Sequence, residues 1–207
     1  MSEQTPFIVV EGPIGVGKTT LTKLLAAEFS YASLTEIVEE NPFLGKFYEN
    51  IEEWSFQTEM FFLCNRYKQL EDTQEKLDLG IPVVADYHVF KNLIFARRTL
   101  PTHQLDKYVR IYDILTEEVP EPSVIVYIHA SLPTLLKRIN QRGRSIEQQI
   151  DPDYLSQLIT DYEEAISQMT AMYPHVPIIK IDGDQYDYVE NTKDLEHIFN
   201  LIREITS

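Results

Sequence analysis

A parallel α/β sheet covered by helices on both sides is the fold class that this sequence predicts, on three observations. Short apolar runs rich in Val and Ile recur with little polar alternation, as strands buried on both faces require. Longer stretches with helical periodicity separate these runs. The string Gly12-Pro13-Ile14-Gly15-Val16-Gly17-Lys18-Thr19, a GxxxxGK[ST] pattern without a mismatch, follows the first run directly. Strands alternating with helices give one open parallel sheet, here of five strands.

The elements follow in order. Phe7–Val10 is the first expected strand and Thr19–Phe29 the helix after the glycine-rich turn. Leu34–Val38 is the second strand, and Trp54–Leu77 a long helix closed by Gly80-Ile81-Pro82. Ile81–Ala85 is the third strand and His103–Glu118 the next helix. Val124–Ile128 leads to a helix over Leu132–Arg142, with Ser131 placed to cap it and Pro133 in its first turn. Pro152–Met172, the strand Val176–Ile181 and the helix Asn191–Ile205 complete the chain. No repeat, low-complexity tract or linker interrupts 1–207, so a single domain is expected, with an arginine-rich lid over about 138–150.

Composition narrows the partners. Eighteen Lys+Arg stand against 33 Asp+Glu, a net charge of −15, which repels nucleic-acid backbones and anionic lipid. Neither nucleic acid nor membrane is therefore expected as a partner. A single cysteine, Cys64, excludes an internal disulfide and a multi-cysteine metal site. Residues 1–7 lack a signal-peptide pattern and no apolar run is long enough to span a bilayer, so a cytoplasmic protein is expected.

The glycine-rich string carries the strongest chemistry. Glycines let successive backbone N–H groups turn inward onto a phosphate. Lys18 would reach the β- and γ-phosphates, and the Thr19 hydroxyl would ligate Mg²⁺, with Thr20 beside it. A nucleoside triphosphate is the expected ligand. No guanine-reading Asn-Lys-x-Asp occurs, and Val83-Val84-Ala85-Asp86 is followed by Tyr87 rather than a hydrolytic acid. A small phosphotransferase fits better than a GTP switch or a motor ATPase. Arg138 and Arg142 share a helix face, and Gly143 lets Arg144 turn to join them. Three guanidiniums converging in an acidic protein suit the charge on a moving phosphoryl group.

Taken together, the phosphate loop, Glu36-Ile37-Val38-Glu39-Glu40-Asn41-Pro42-Phe43, Tyr48, Trp54-Ser55-Phe56, Asp86 and Arg142-Gly143-Arg144-Ser145-Ile146-Glu147 resemble the deoxynucleoside kinase family, in its bacterial deoxyadenosine and deoxyguanosine kinase branch. The resemblance runs from Phe7 to about Asp187. It implies MgATP-dependent phosphorylation of a deoxynucleoside 5′-hydroxyl, and a homodimer built from helices or a heterodimer with a paralogue. It casts Glu36 as the base that takes the hydroxyl proton, with Glu39 and Glu40 as rivals from sequence alone. Arg138, Arg142 and Arg144 would stabilise the transferring phosphoryl group. Tyr48 and Glu147 would hold the sugar 3′-hydroxyl, unless Tyr48 is core and Glu147 merely solvated. Asp86 would orient Mg²⁺ or its waters, and Asp182-Gly183-Asp184-Gln185 would wrap the ATP adenine.

Relatives that accept cytosine, thymine or adenine carry glutamine seven residues before the helix arginine. Here that arginine is Arg66 and the residue before it is Glu59. A carboxylate accepts two hydrogen bonds where an amide donates one and accepts one. Guanine offers adjacent donors at N1 and N2, so Glu59 favours deoxyguanosine, with Arg66 donating to O6 or N7. An exposed Glu59 on a polar helix face is the bland alternative. Asp86-Tyr87-His88 departs from the family's acid-Arg-Ser, leaving Lys91 or Arg97 to compensate for the arginine missing at Tyr87, itself counted among the substrate contacts. Phe90 and Phe95 are either walls for the base or core, and His88 is expected to be packed. The rival functions are a deoxyadenosine or broad deoxynucleoside kinase, a nucleoside monophosphate kinase, and a nucleotide-binding regulator without turnover.

Overall fold

In the computed structural model, which describes residues 5–38, 40–144, 147 and 149–206, Phe7–Glu11 forms the central strand β1, buried along its whole length. β1 pairs in parallel with β3 (Val83–Ala85) on one side and β4 (Val124–His129) on the other. β2 (Ala32–Leu34) and β5 (Ile178–Asp182) form the edges, giving the order β2-β3-β1-β4-β5. The apolar residues of β1, β3 and β4 are buried on both faces, which is why those runs show no alternation.

The helices are α1 (Lys18–Phe29), α2 (Leu44–Glu49), α3 (Ile51–Asp78), α4 (Lys91–Thr99), α5 (Thr102–Thr116), α6 (Leu132–Arg142), α7 (Pro152–Met172) and α8 (Thr192–Thr206). α1, α3 and α8 pack on the sheet, and a smaller apolar cluster around Leu63, Ala96, Leu100 and Tyr108 joins α3, α4 and α5. The connection from β1 leads toward β2, whereas that from β3 crosses β1 to reach β4. This reversal opens a crevice at the carboxyl ends of β1 and β3, where open α/β sheets bind ligands.

Three local expectations need correction. β2 ends at Leu34, before the expected Leu34–Val38 has properly begun, because only Ala32 to Leu34 find partners on β3. Beyond it the chain leaves the sheet and the Glu36 N–H bonds instead to Asp86 Oδ1 at 2.7 Å. The helices α2 and α4 had no separate sequence signal, since Gly45 weakens the first and α4 directly continues the apolar Val89-Phe90. Ser131 occupies the N-cap position of α6, but its Oγ lies 3.0 Å from Asp184 Oδ1 and 3.2 Å from Thr134 Oγ1 rather than on a helix N–H. Glu39, Ser145, Ile146 and Gln148, parts of the expected base region and lid, lie outside the described residues.

Candidate active site

A cleft of about 1540 Å³ opens over the carboxyl ends of β1 and β3. That exceeds the usual volume for one small ligand and leaves room for two. Ile14, Gly15, Gly17, Lys18, Thr19 and Thr20 line one end, together with the Gly183–Glu190 segment after β5. Gly17 holds φ at +108° as the N-cap of α1, so the loop N–H groups open at a helix N-terminus suited to an anion. Lys18 Nζ donates to the Gly12 and Pro13 carbonyls at 2.6 and 3.0 Å. Burial, then the Lys91 cation, push its pKa down to about 8, and an incoming phosphate would push it back up.

Glu36 sits in the middle of the cleft between two cations. Its Oε2 accepts from Lys91 Nζ at 2.8 Å, and its Oε1 accepts from Arg66 Nε at 3.0 Å and from Arg66 Nη2. Burial alone would raise the Glu36 pKa, but the Lys91 and Arg66 charges override it and hold the carboxyl far below the usual range. Asp86, at the end of β3, joins this group to the phosphate loop. Its Oδ1 takes the Glu36 N–H and its Oδ2 takes the Thr19 hydroxyl at 2.7 Å. Thr19 and Asp86 together form a hard oxygen donor pair that suits Mg²⁺. Among the described residues no cluster of three or more His, Cys, Asp or Glu could hold a metal.

The far end of the cleft is lined by Leu44, Phe47, Tyr48, Thr58, Glu59 and Phe62, with Phe95 closing it. Glu59 is 2% exposed, and burial drives its pKa up to about 8 against the pull of Arg66 and Lys91. Arg66 lies over the Phe62 ring at 4.8 Å, and its Nη1 is buried with no hydrogen-bond partner in the protein. From the lid side, Arg142 pairs with Glu147 Oε2 and Arg144 approaches Glu147 Oε1 at 3.4 Å. The cleft thus runs from a phosphate cradle, past a bound carboxylate, to a small chamber with a buried acid and an unsatisfied guanidinium donor.

Comparison with known proteins agrees with that layout. The family model described as "Deoxynucleoside kinase" matches residues 8–207. This chain belongs to the deoxynucleoside kinase family. It is 56% identical over 201 residues to a deoxyguanosine kinase of Bacillus subtilis, covering 97% of each protein. It is 32% identical to a deoxyadenosine/deoxycytidine kinase of the same species, over 96% of this chain and 92% of that one. The solved deoxyadenosine kinase of M. mycoides with bound dATP shares the fold at a TM-score of 0.82 and 24% identity, over 96% of this chain and 99% of that one.

In this deoxynucleoside kinase several residues stand elsewhere than the sequence implied. Tyr87 does not reach the cleft: it is fully buried and its hydroxyl donates to Gln69 Oε1 of α3 at 2.8 Å. Phe90 is packed beside His88, with ring centroids 5.1 Å apart, and Phe95 rather than Phe90 forms the wall. His88 is packed as expected, its Nδ1 accepting the Phe90 N–H at 3.2 Å and its pKa lowered by burial to about 4. Arg138 lines the same cleft as Arg142 and Arg144, but backbone carbonyls take up its guanidinium. Its Nη1 and Nη2 each donate at 2.8 Å, to the Val16 carbonyl of the phosphate loop and to the Gly183 carbonyl after β5. Arg66, expected at the base, spends two of its nitrogens on Glu36. Of the rival carboxylates, Glu40 is exposed at the cleft and Glu39 lies outside the described residues.

Two contributors had little sequence signal. Glu11, an acid ending an apolar strand, is buried and accepts both the Gly12 N–H at 2.9 Å and the His88 N–H at 2.8 Å, tying the phosphate loop to the segment after β3. Tyr188 donates its hydroxyl to the Val16 carbonyl at 3.0 Å. Of the two expected to compensate for the arginine missing at Tyr87, Lys91 pairs with Glu36 at 2.8 Å and Arg97 is exposed. Removing one partner of a buried ion pair leaves the other charge poorly compensated. Lys91→Met should therefore lower unfolding stability by about 3 kcal/mol, read by urea titration, while Lys91→Arg keeps most of it. A Lys91→Met protein as stable as the parent would show the contact to be idle.

Proposed function

We propose that this kinase transfers the γ-phosphoryl group of MgATP to the 5′-hydroxyl of deoxyguanosine, making dGMP. The observation that carries the substrate is the buried acid Glu59 in the acceptor chamber, beside an Arg66 Nη1 that lacks a protein acceptor. As a carboxylate Glu59 would accept from guanine N1 and N2, while Arg66 Nη1 would donate to O6. The likeness to the Bacillus subtilis deoxyguanosine kinase supports the same choice.

In this reading the loop N–H groups of Ile14, Gly15, Gly17, Lys18 and Thr19, with the Lys18 ammonium, grip the triphosphate. Thr19 and Asp86 would hold Mg²⁺, which supplies charge neutralisation along the β- and γ-oxygens. Glu36 receives the 5′-hydroxyl proton as the oxygen attacks phosphorus, the bond to the β-phosphate oxygen breaks, and ADP leaves. Arg142 and Arg144 would swing from Glu147 onto the moving phosphoryl group, and Glu147 with Tyr48 would take the 3′-hydroxyl. Arg138 acts as a positioning residue through the Val16 carbonyl. A nucleoside monophosphate kinase is disfavoured because Lys91 and two of the three Arg66 nitrogens, at the acceptor end, are taken up by Glu36. A homodimer is supported by the apolar groove on the outer face of α3, between Phe43, Phe56, Met60 and Phe61.

The test is steady-state phosphorylation of deoxyguanosine, deoxyadenosine, deoxycytidine and dGMP with MgATP. Deoxyguanosine should lead in kcat/KM, and Glu59→Gln should reverse the purine preference, with discrimination on the order of 10⁴ at stake. A Glu59→Gln enzyme that keeps its guanine preference would overturn the base-reading argument. Turnover of dGMP alone would make the protein a nucleotide kinase, and no turnover would make it a regulator.

A further inference from the structure

Every residue around Glu59 bears on one question, namely which protonation state meets the base. Glu59 lines the cleft yet is only 2% exposed, so its carboxyl has little solvent to equalise its two forms. On its own helix Glu59 faces Arg66, and from α4 it faces Lys91 and the Thr99 hydroxyl. Both cations are hydrogen-bonded to Glu36, the nearest other anion. Tyr48 of α2, Tyr108 of α5 and Tyr154 of α7 complete the surroundings, and burial pushes all three phenols well above their ordinary pKa, so they stay neutral. Tyr108 is further engaged, its oxygen accepting from Asn92 Nδ2 at 2.8 Å. Burial raises the Glu59 pKa to about 8, so the charge of this group changes near neutral pH.

We propose that Glu59 reads two purines with its two protonation states, guanine as the carboxylate and adenine as the carboxylic acid, so that deoxyadenosine becomes a second substrate as pH falls. This rests on the reading of Glu59 as the base-contacting group. The pairing follows from the donor and acceptor patterns. The ionised group offers two acceptors to the guanine N1–H and N2–H. The protonated group offers one O–H to adenine N1 and one carbonyl oxygen to the adenine N6–H, the pattern that glutamine would present. The raised pKa means that the empty site holds the acid form at neutral pH. Guanine binding must then expel that proton to solvent, whereas adenine binding retains it.

The experiment measures kcat/KM for both deoxynucleosides from about pH 6 to about pH 8.5, in the parent enzyme and in Glu59→Gln. Their ratio cancels every pH effect that the two substrates share, including those of Lys18 and Glu36. In the parent the ratio of deoxyguanosine to deoxyadenosine should climb about tenfold per pH unit, the slope of a one-proton difference. In Glu59→Gln it should be flat. Calorimetry of the parent in buffers of different ionisation enthalpy should show close to one proton released per deoxyguanosine bound at about pH 6.5, and none for deoxyadenosine. A flat ratio in the parent, with deoxyguanosine still preferred, overturns the two-state reader but leaves the kinase assignment standing. A pH-dependent ratio that persists in Glu59→Gln assigns the switch to another group and also overturns it. Failure to phosphorylate deoxyguanosine at any pH would instead remove the substrate reading on which the proposal rests.

Discussion

Glu36→Gln should lower kcat by roughly 10²–10⁴-fold while leaving KM for ATP near the parent value. An amide keeps the shape of the side chain but cannot take the 5′-hydroxyl proton as the phosphorus–oxygen bond forms. The substitution also removes the anion shared by Arg66 and Lys91, two buried cations. A stability loss of about 3–5 kcal/mol should accompany the kinetic loss, so kcat is to be compared at temperatures where both proteins are folded. The pH profile separates the two effects. Because the cations hold the Glu36 pKa down, its carboxylate persists on the acid side, and the stability it contributes is present at neutral pH and lost only as pH falls below the ordinary carboxylate range. A kcat within a few-fold of the parent would exclude Glu36 as the proton acceptor.

Gly12→Ala is expected to prevent folding rather than to weaken ATP binding. An added Cβ would lie 2.2 Å from the Ile128 carbonyl oxygen and 3.0 Å from Val16 Cγ1, at a φ of +149° that side chains rarely adopt. The Ile128 oxygen belongs to β4, which is held between β1 and β5 and cannot retreat. A cost above about 4 kcal/mol is expected, enough to exhaust much of a domain's stability, read as loss of soluble protein or of the cooperative urea transition. Gly143→Ala is the control. Its φ is also positive at +67°, but nothing lies within 4 Å, so only the left-handed backbone strain of about 1–2 kcal/mol should appear. Equal effects at both positions would mean that strain, not the close approach to β4, governs Gly12.

What the sequence made legible was local. The phosphate loop, the alternation of strands and helices, and the spacing of Glu59 and Arg66 on one helix are all short-range patterns. The ion pairs that surround Glu36 join residues 30 and 55 positions apart, so no periodicity could announce them. Tyr87 was misread for a related reason. Its position next to Asp86 suggested the cleft, but alternation along the chain turns it the other way, onto Gln69 of α3. Arg138 shares a helix face with Arg142 as its spacing implies. Sequence spacing could not show that the Val16 carbonyl would claim it first. Glu11 could have been suspected, since an acid ending a buried apolar strand needs donors, and it finds them in Gly12 and His88.

The hold of Arg138 and Tyr188 on the Val16 carbonyl bears on how the protein is made. Those contacts span 122 and 172 residues, so the phosphate loop is braced only by segments that are made long after it. A nascent chain that has delivered only β1, α1 and the first crossover has the glycine-rich sequence but neither the clamp nor the central pairing with β4. The apolar β1 must stay soluble until β3 and β4 have followed it. The clamp on the phosphate loop is complete only after the segment following β5 has been released.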